Sequence, residues 1–535
     1  MPGLTARAWR RLECFEEGPF AAPALVGLAL VAYALVSVAF PLAEGRDLGT
    51  YLRAAFELRS SEVLLPQAML GRAPVTGVFA EAVLSVGPLA AEVAMALLYA
   101  LSTLCWWRVA RRLGPAVGVG VAAVLLLYPG YALLFHQLAS DALFAAAFAV
   151  AALLVARLIE QPTYARSAAL GVGVALLVLV RPVGQTLVLL TPLVVLLPGV
   201  WRLRVGRLAV LGLAMLLPLL GWATHNALRA HDFTVVRGGG QAVPLFRAFV
   251  VEGIVDPDNG EASRELAGVV ARDLLPREPY RSYGIDVDRF FSSRSARMHE
   301  DLAGLSDRTW GWDDDYARLA QVGREAVISH PGTFVRGVAR DTWRLLWWPV
   351  FLPVGTQASE RAPTVEATRD VPPGSPVPSE GQPIPSASVS GWISTPDNSV
   401  HEVWTSATQH SIVFDDPAGA AHLARLEQRL AELSAAFPDR IGQDGLAEWF
   451  NRASRWFPRP VVWLVLGLTL VSTRRPRPLS IPLVLTSAAL LVLLGTALAV
   501  PATAEYSIPV VPAFVLLAVA GLLARRTTRS SLGGG

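Results

Sequence analysis

Long apolar runs constrain this chain more than any other feature. Residues 21–42 read AAPALVGLALVAYALVSVAFPL, without a charged side chain. About 20 helical residues cross the ~30 Å hydrocarbon core of a bilayer. Comparable runs fall at 88–107, 115–132, 138–156, 167–180, 184–200, 208–225, 459–473, 479–500 and 507–524. Backbone groups in lipid must be satisfied within the segment, so these runs are expected as helices. The chain is 53% hydrophobic and 17% charged, against about a quarter charged in an average soluble protein. The expected fold is an all-α polytopic membrane protein, a bundle of about ten spans. A net charge of only +3 offers no basic surface for nucleic acid.

Charge sets the orientation. Short loops rich in basic residues mark the cytoplasmic side, and every basic residue here is Arg. Arg7, Arg10 and Arg11 precede the first span. Arg108, Arg111 and Arg112 follow the second, Arg157 and Arg166 the fourth, and Arg202, Arg204 and Arg207 the sixth. Arg474, Arg475 and Arg477 follow the eighth, and Arg525 and Arg526 the last. All agree with both termini in the cytoplasm. The N-terminal MPGLTARAWRRLECFEEG lacks a small-residue cleavage site, so 21–42 is expected as a retained span. The lack of Lys reads as the coding bias of a GC-rich bacterium, which makes the membrane a bacterial plasma membrane.

The expected organisation is a membrane module at 1–231, an extracytoplasmic region at 232–458 and three further spans at 459–535. Secondary transporters show repeated halves with polar breaks at mid-membrane; seven spans, a large exterior region and three spans do not fit that plan. The exterior region is expected to be mostly helical. GWDDDYARLAQVGREAVISHPG reads as a helix ending at His330-Pro331, because Pro disfavours a helical residue before it. Residues 332–354 mix Arg and Asp with Trp and Phe and read as an interfacial helix. Residues 360–398 are Pro- and Ser-rich and read as a linker. Leu423, Leu426, Leu430, Leu433 and Phe437 lie on one helix face whose partner the sequence does not name.

The residues that could carry chemistry lie at the outer ends of spans. The first outer loop, 43–87, opens EGRDLGTYLRAAFEL. Asp47 precedes an amphipathic face of Leu48, Tyr51, Leu52, Ala55 and Phe56, so it reads either as a helix N-cap or as a catalytic carboxylate accompanied by Arg46 and Tyr51. Arg72, two residues before Pro74, could clamp a phosphate bidentately or snorkel at the interface. His136 and Asp141 flank the third and fourth spans; ionisable groups beside spans are costly and often functional, yet Asp141 could also cap its helix. Arg181 lies between two apolar stretches and needs an anion nearby. Glu505 and Tyr506 open the last span. Asp313–Asp315 and the DPDNG turn at 256–260 read as helix-terminus and turn chemistry. No phosphate loop, nucleophile elbow or zinc spacing is present.

In order and placement these elements resemble the GT-C membrane glycosyltransferases, among them the protein O-mannosyltransferases and the aminoarabinose transferase of lipid A. The matching elements are Asp47 in EGRDLGTYL, Arg72 and Pro74 in GRAPVT, Asp141 in SDALF, Arg181-Pro182, and Tyr506, Pro509 and Pro512 in AEYSIPVVP. Glu505 stands where that last element carries Arg. The wording GRDLGTYL…PQAML also resembles actinobacterial membrane proteins of this type. The resemblance covers residues 21–230 and the last three spans. It implies a polyprenyl-phosphate sugar donor in the outer leaflet, an extracytoplasmic glycan, lipid or protein acceptor, and inversion at the anomeric carbon. Asp47 would be the general base, with Arg72, Arg181 and His136 stabilising the leaving phosphate. A divalent cation, Mg or Mn, is used by some relatives, although no dedicated cage stands in the sequence. A non-catalytic carrier of lipid headgroups, or an envelope assembly scaffold, is the alternative from another class.

Overall fold

The computed structural model describes residues 18–238, 243–347, 390–437, 444–474 and 479–523. Arg7, Arg10, Arg11, Arg475, Arg477, Arg525 and Arg526 lie outside the described residues, as do 348–389, which hold most of the expected linker and the end of the expected interfacial helix. The rest is overwhelmingly helical. Six helices are long and apolar enough to cross a membrane, and five apolar helices are shorter.

The first helix, α1 (Ala21–Ala39), leads into a two-residue strand β1 (Ala43–Glu44). Three helices follow in the first connection: α2 (Leu48–Arg59), α3 (Pro66–Leu70) and α4 (Pro74–Val86). Then come α5 (Pro88–Arg111), α6 (Pro115–Leu127), the short α7 (Pro129–Leu134), β2 (Gln137–Leu138), α8 (Ser140–Glu160) and α9 (Tyr164–Val180). Pro74, Pro88, Pro115 and Pro129 each open a helix. A proline costs nothing there, because the first turn has no use for its missing N–H. Pro129 also breaks the run expected as one span at 115–132 into α6 and α7.

The run expected as a span at 184–200 is a 3-10 helix, Pro182–Leu196, 15 residues with Pro192 inside. At about 2.0 Å rise per residue such a helix covers roughly 30 Å, where an α-helix of that length falls well short of the hydrocarbon core. The long α10 (Trp201–Ala230) follows and packs along α9.

The central region contributes α11 (Glu261–Val269), α12 (Val287–Ser292), α13 (Ala296–Trp310), α14 (Ala317–Ser329), α15 (Pro331–Trp347) and the one-turn α16 (Ser390–Ile393). A β-hairpin, β3 (Val400–Trp404) with β4 (His410–Phe414), interrupts the helical pattern. It is followed by α17 (Pro417–Ala435) and α18 (Asp444–Trp456). As the sequence suggests, α14 ends at Ser329 with Pro331 opening the next helix. The apolar face of α17 buries Leu426, Leu430 and Leu433. It packs on α2, α4 and β4, and at the contact with α2 His422 meets Glu57, both buried.

The chain closes with α19 (Pro460–Arg474), α20 (Ser480–Ala499) and α21 (Val511–Leu523). Residues 511–520 of α21 are all buried. A helix apolar on every side belongs in the middle of a bundle, and α21 packs against α6 as well as α19 and α20. The last helices are therefore built into the first bundle.

The ends of the helices sort by charge. Arg112 after α5 pairs with Glu160 at the end of α8, and Arg474 donates to the Leu522 carbonyl at the end of α21 at 2.6 Å. The C-terminal ends of α5, α8, α19 and α21 thus gather at one end of the bundle. The C-terminus of α1 and the N-termini of α5, α8 and α21 gather at the other.

Two glycines let the first connection close on that second end. At Gly45 a Cβ would overlap the Ala139 side chain; its N–H donates to the Leu138 carbonyl at 3.2 Å, extending the parallel β1–β2 pairing. At Gly77 a Cβ would overlap the Tyr51 carbonyl oxygen, so α4 and α2 touch backbone to backbone. Gly77→Ala is expected to lower stability by about 1–3 kcal/mol through overpacking, read by thermal unfolding in detergent. Gly212→Ala, which meets nothing within 4 Å, is the matched control and is expected to have little effect.

Candidate functional site

Asp47 occupies the residue before the first turn of α2, yet its side chain makes no capping hydrogen bond. Its backbone carbonyl serves the turn instead, accepting from Thr50 N at 3.0 Å and Thr50 Oγ1 at 2.7 Å. Its φ is +62°, a left-handed conformation that a short Asp side chain tolerates better than most. The carboxylate, 54% exposed, is thereby turned outward, and its oxygen lies 4.0 Å from Nη2 of Arg72.

Arg72 stands between α3 and α4, and the α2 surface holds it. Its Nε donates to Thr50 Oγ1 at 2.8 Å, and its guanidinium lies 5.6 Å from the centre of the Tyr51 ring. Burial works against its charge, but Asp47, Tyr51, Glu300 and Tyr506 outweigh that cost and raise its pKa. Tyr506, at the opening of α21, is thus among the groups that act on the charge of Arg72.

Tyr506 faces a second arginine. The Arg181 guanidinium lies 4.5 Å from the Tyr506 ring centre and pairs with Asp141. Asp141 is in the first turn of α8 and buried; Arg181 follows α9. Thr76 in α4 donates to the Val180 carbonyl at 3.2 Å, tying Arg181's backbone to the first connection. Asp47, Tyr51 and Arg72 form one group of contacts and Asp141, Arg181 and Tyr506 a second, and Tyr506 also acts on the charge of Arg72.

His136 does not join them. It is buried and stacked on Tyr33 at 4.0 Å. Its ring nitrogens lie 3.0 Å from the Ala132 carbonyl, and 3.1 and 3.3 Å from Ser37 Oγ and the Tyr33 carbonyl. Those contacts make it a tie between α1 and α7. Arg46 is exposed beside Asp47, and Glu505 is half-buried beside Tyr506. Asp314 accepts from Arg318 N at 3.1 Å and Asp256 from Asp258 N at 2.9 Å, helix-terminus and turn roles respectively.

One further carboxylate reaches this place. Glu300 of α13 acts on the charge of Arg72 and feels Asp47 in turn. It is solvent-exposed, yet the surrounding protein desolvates it and pushes its carboxyl up to about 7; Asp301 and Asp47 add to the shift while Arg72 and Arg297 oppose it. No sequence signal marks it, since an acid on an amphipathic helix is ordinary. Among the described residues no group of three or more His, Cys, Asp or Glu is placed to hold a metal ion, and no step below is routed through one.

The fold and site define a helical protein with the character of a membrane protein and two Asp–Arg pairs at one end of its bundle. No protein-family profile, curated protein or solved structure matches the chain.

Proposed function

We propose that this protein is an integral membrane glycosyltransferase of the GT-C type that transfers a sugar from a polyprenyl-phosphate donor to an extracytoplasmic acceptor. In this reading it is a multi-pass protein of a bacterial plasma membrane with both termini cytoplasmic. The end of the bundle bearing Arg112 and Arg474 faces the cytoplasm, as the bias of basic residues requires. The two Asp–Arg pairs then stand at the outer leaflet, where a lipid-linked donor and a glycan, lipid or protein acceptor can meet.

One observation carries the reading: the Asp47–Arg72 pair and the Asp141–Arg181 pair, the latter against Tyr506, stand at one end of the bundle on elements far apart in sequence. Nothing in packing alone requires the Asp47 carboxylate to leave its cap position. The acceptor hydroxyl oxygen attacks the anomeric carbon while its proton passes to the Asp47 carboxylate. The bond from that carbon to the phosphate oxygen breaks, and its electron pair leaves with the polyprenyl phosphate. An in-line displacement puts the base and the leaving phosphate on opposite faces of the sugar, so the anomeric carbon inverts. In this reading Arg181, paired with Asp141 and against Tyr506, meets the phosphate. Arg72 holds charge next to the reacting centre, its Nη atoms engaged no more closely than 4.0 Å by Asp47. Fixed positive charge of this kind stabilises the transition state without reorganising.

Purified protein supplied with a radiolabelled polyprenyl-phosphate sugar is expected to release or transfer the label. A headgroup carrier or assembly scaffold would bind the same lipid and leave it intact with every donor and acceptor tried.

A further inference from the structure

An apolar groove of about 440 Å³ runs between α15 and α20. Phe334, Val338, Thr342 and Leu346 line it on α15, each one turn from the last, and Leu494 and Leu498 line it on α20. Two ties fix α15 across the ends of the membrane helices. Arg247 pairs with Asp341 at 2.9 Å and donates to the Ala497 carbonyl at the end of α20. The Arg459 guanidinium, just before α19, lies 4.6 Å from the Trp347 ring centre. The groove therefore stands where α19 starts and α20 finishes, at the end of the bundle that holds the Asp–Arg pairs. It lies on a different face of α20 from the 3-10 helix that Arg181 precedes: at Gly495 a Cβ would overlap the Thr186 side chain of that helix.

The two walls say what covers the groove. The first wall, α20, is one of the six helices long and apolar enough to cross a membrane, and Leu494 and Leu498 are exposed on it. A groove along the exposed side of such a helix faces hydrocarbon. From Phe334 to Leu346 it runs about 18 Å at 1.5 Å per residue, close to the ~15 Å that one acyl chain spans in a leaflet. The second wall, α15, has a basic edge. Arg336, Arg340 and Arg344 follow one another at one-turn spacing, all exposed. Arg340 and Arg344 share Asp341 at 3.6 and 3.4 Å. Arg336 has no ion pair or hydrogen bond among the described residues. Trp343, which also lines the groove, stacks on Trp347 at 5.6 Å, and both are exposed. Tryptophan and arginine beside an apolar slot suit the level of the lipid headgroups, where Arg pairs with phosphate.

We propose that the α15–α20 groove binds an anionic phospholipid, with one acyl chain in the groove and the phosphate on the arginine row, Arg336 foremost. The bound lipid fastens the central region to the leaflet. The proposal needs the membrane character of the bundle and not the transferase reading.

The full chain in lipid nanodiscs tests it, with a phosphatidylglycerol carrying a diazirine on one acyl chain as the probe. After irradiation, mass spectrometry is expected to find residues 334–346 and 494–498 labelled about tenfold above residues 213–217 of α10. There Leu213, Leu216 and Leu217 are exposed and report lipid in passing contact. Equal labelling of the two places overturns the site.

Two variants divide chain from headgroup. Ala339→Trp fills the groove from an exposed position on α15, so it is expected to remove the excess label and leave that on α10; an excess that persists overturns the site. Arg336→Gln keeps the groove and is expected to abolish an about tenfold preference for this probe over its phosphatidylcholine counterpart. A parent without that preference, or a variant that retains it, overturns the headgroup assignment. Polyprenyl phosphate displacing the probe better than unlabelled phosphatidylglycerol does overturns the phospholipid as occupant.

Discussion

Asp47→Asn is expected to lower the transfer rate by about 10²–10⁴-fold, the range that positioned general bases supply, while the protein expresses and unfolds as the parent does. The substitution keeps shape and removes proton affinity. It is structurally mild here because the Asp47 side chain makes no capping bond, and the turn is held by the Asp47 carbonyl and Thr50. Asn also tolerates a φ of +62°. A residue serving only as a cap would give a different result: a modest stability loss and unchanged turnover. Parallel assays of transfer and thermal unfolding separate the two outcomes, and full activity in the variant removes Asp47 as the base.

Arg247→Met is expected to cost about 3–5 kcal/mol of stability, the usual penalty for stranding a buried charge. Arg247 has no accessible surface. It pairs with Glu252 and with Asp341, the latter at 2.9 Å, and donates to the Ala497 carbonyl at the end of α20. Removing it leaves two buried carboxylates facing only Arg340 and Arg344, whose side chains are 49% and 55% exposed. The central region would then lose its polar anchor on the membrane helices. The triple variant Arg247→Met/Glu252→Gln/Asp341→Asn removes the stranded charges and is expected to recover part of the loss. Denaturation in detergent distinguishes them; equal stability of the single variant and the parent would mean the cluster is not the anchor.

The elements of the site were legible where chain order alone places them. Alternating spans with Arg clusters after every second one put Asp47, Arg72, Asp141, Arg181 and Tyr506 at one end before any contact is known. Their pairing was not legible. That Arg181 meets Asp141 depends on how α8 and α9 cross, and that Tyr506 faces Arg181 depends on α21 standing at the bundle's centre. Asp47 in a favoured N-cap position read either as a cap or as a catalytic carboxylate, because composition cannot tell a side chain that caps from one whose carbonyl does the work. His136 looked like a phosphate contact because a lone polar ring in an apolar stretch demands a partner. The partners it has are Ser37 and two main-chain carbonyls, and carbonyls leave no mark in a sequence. The 3-10 form of Pro182–Leu196 hung on Pro192, which a hydropathy pattern passes over.

The central claim is that this site moves a sugar off a lipid phosphate. The most direct test reconstitutes the full chain in lipid nanodiscs with polyprenyl-phosphate sugars of known anomeric configuration. Turnover is followed by label release, and the product's configuration by NMR. The product is expected to be inverted at the anomeric carbon, formed by the parent and lost in Asp47→Asn. Donor that binds yet stays intact under every acceptor, or a product with retained configuration, would contradict that claim.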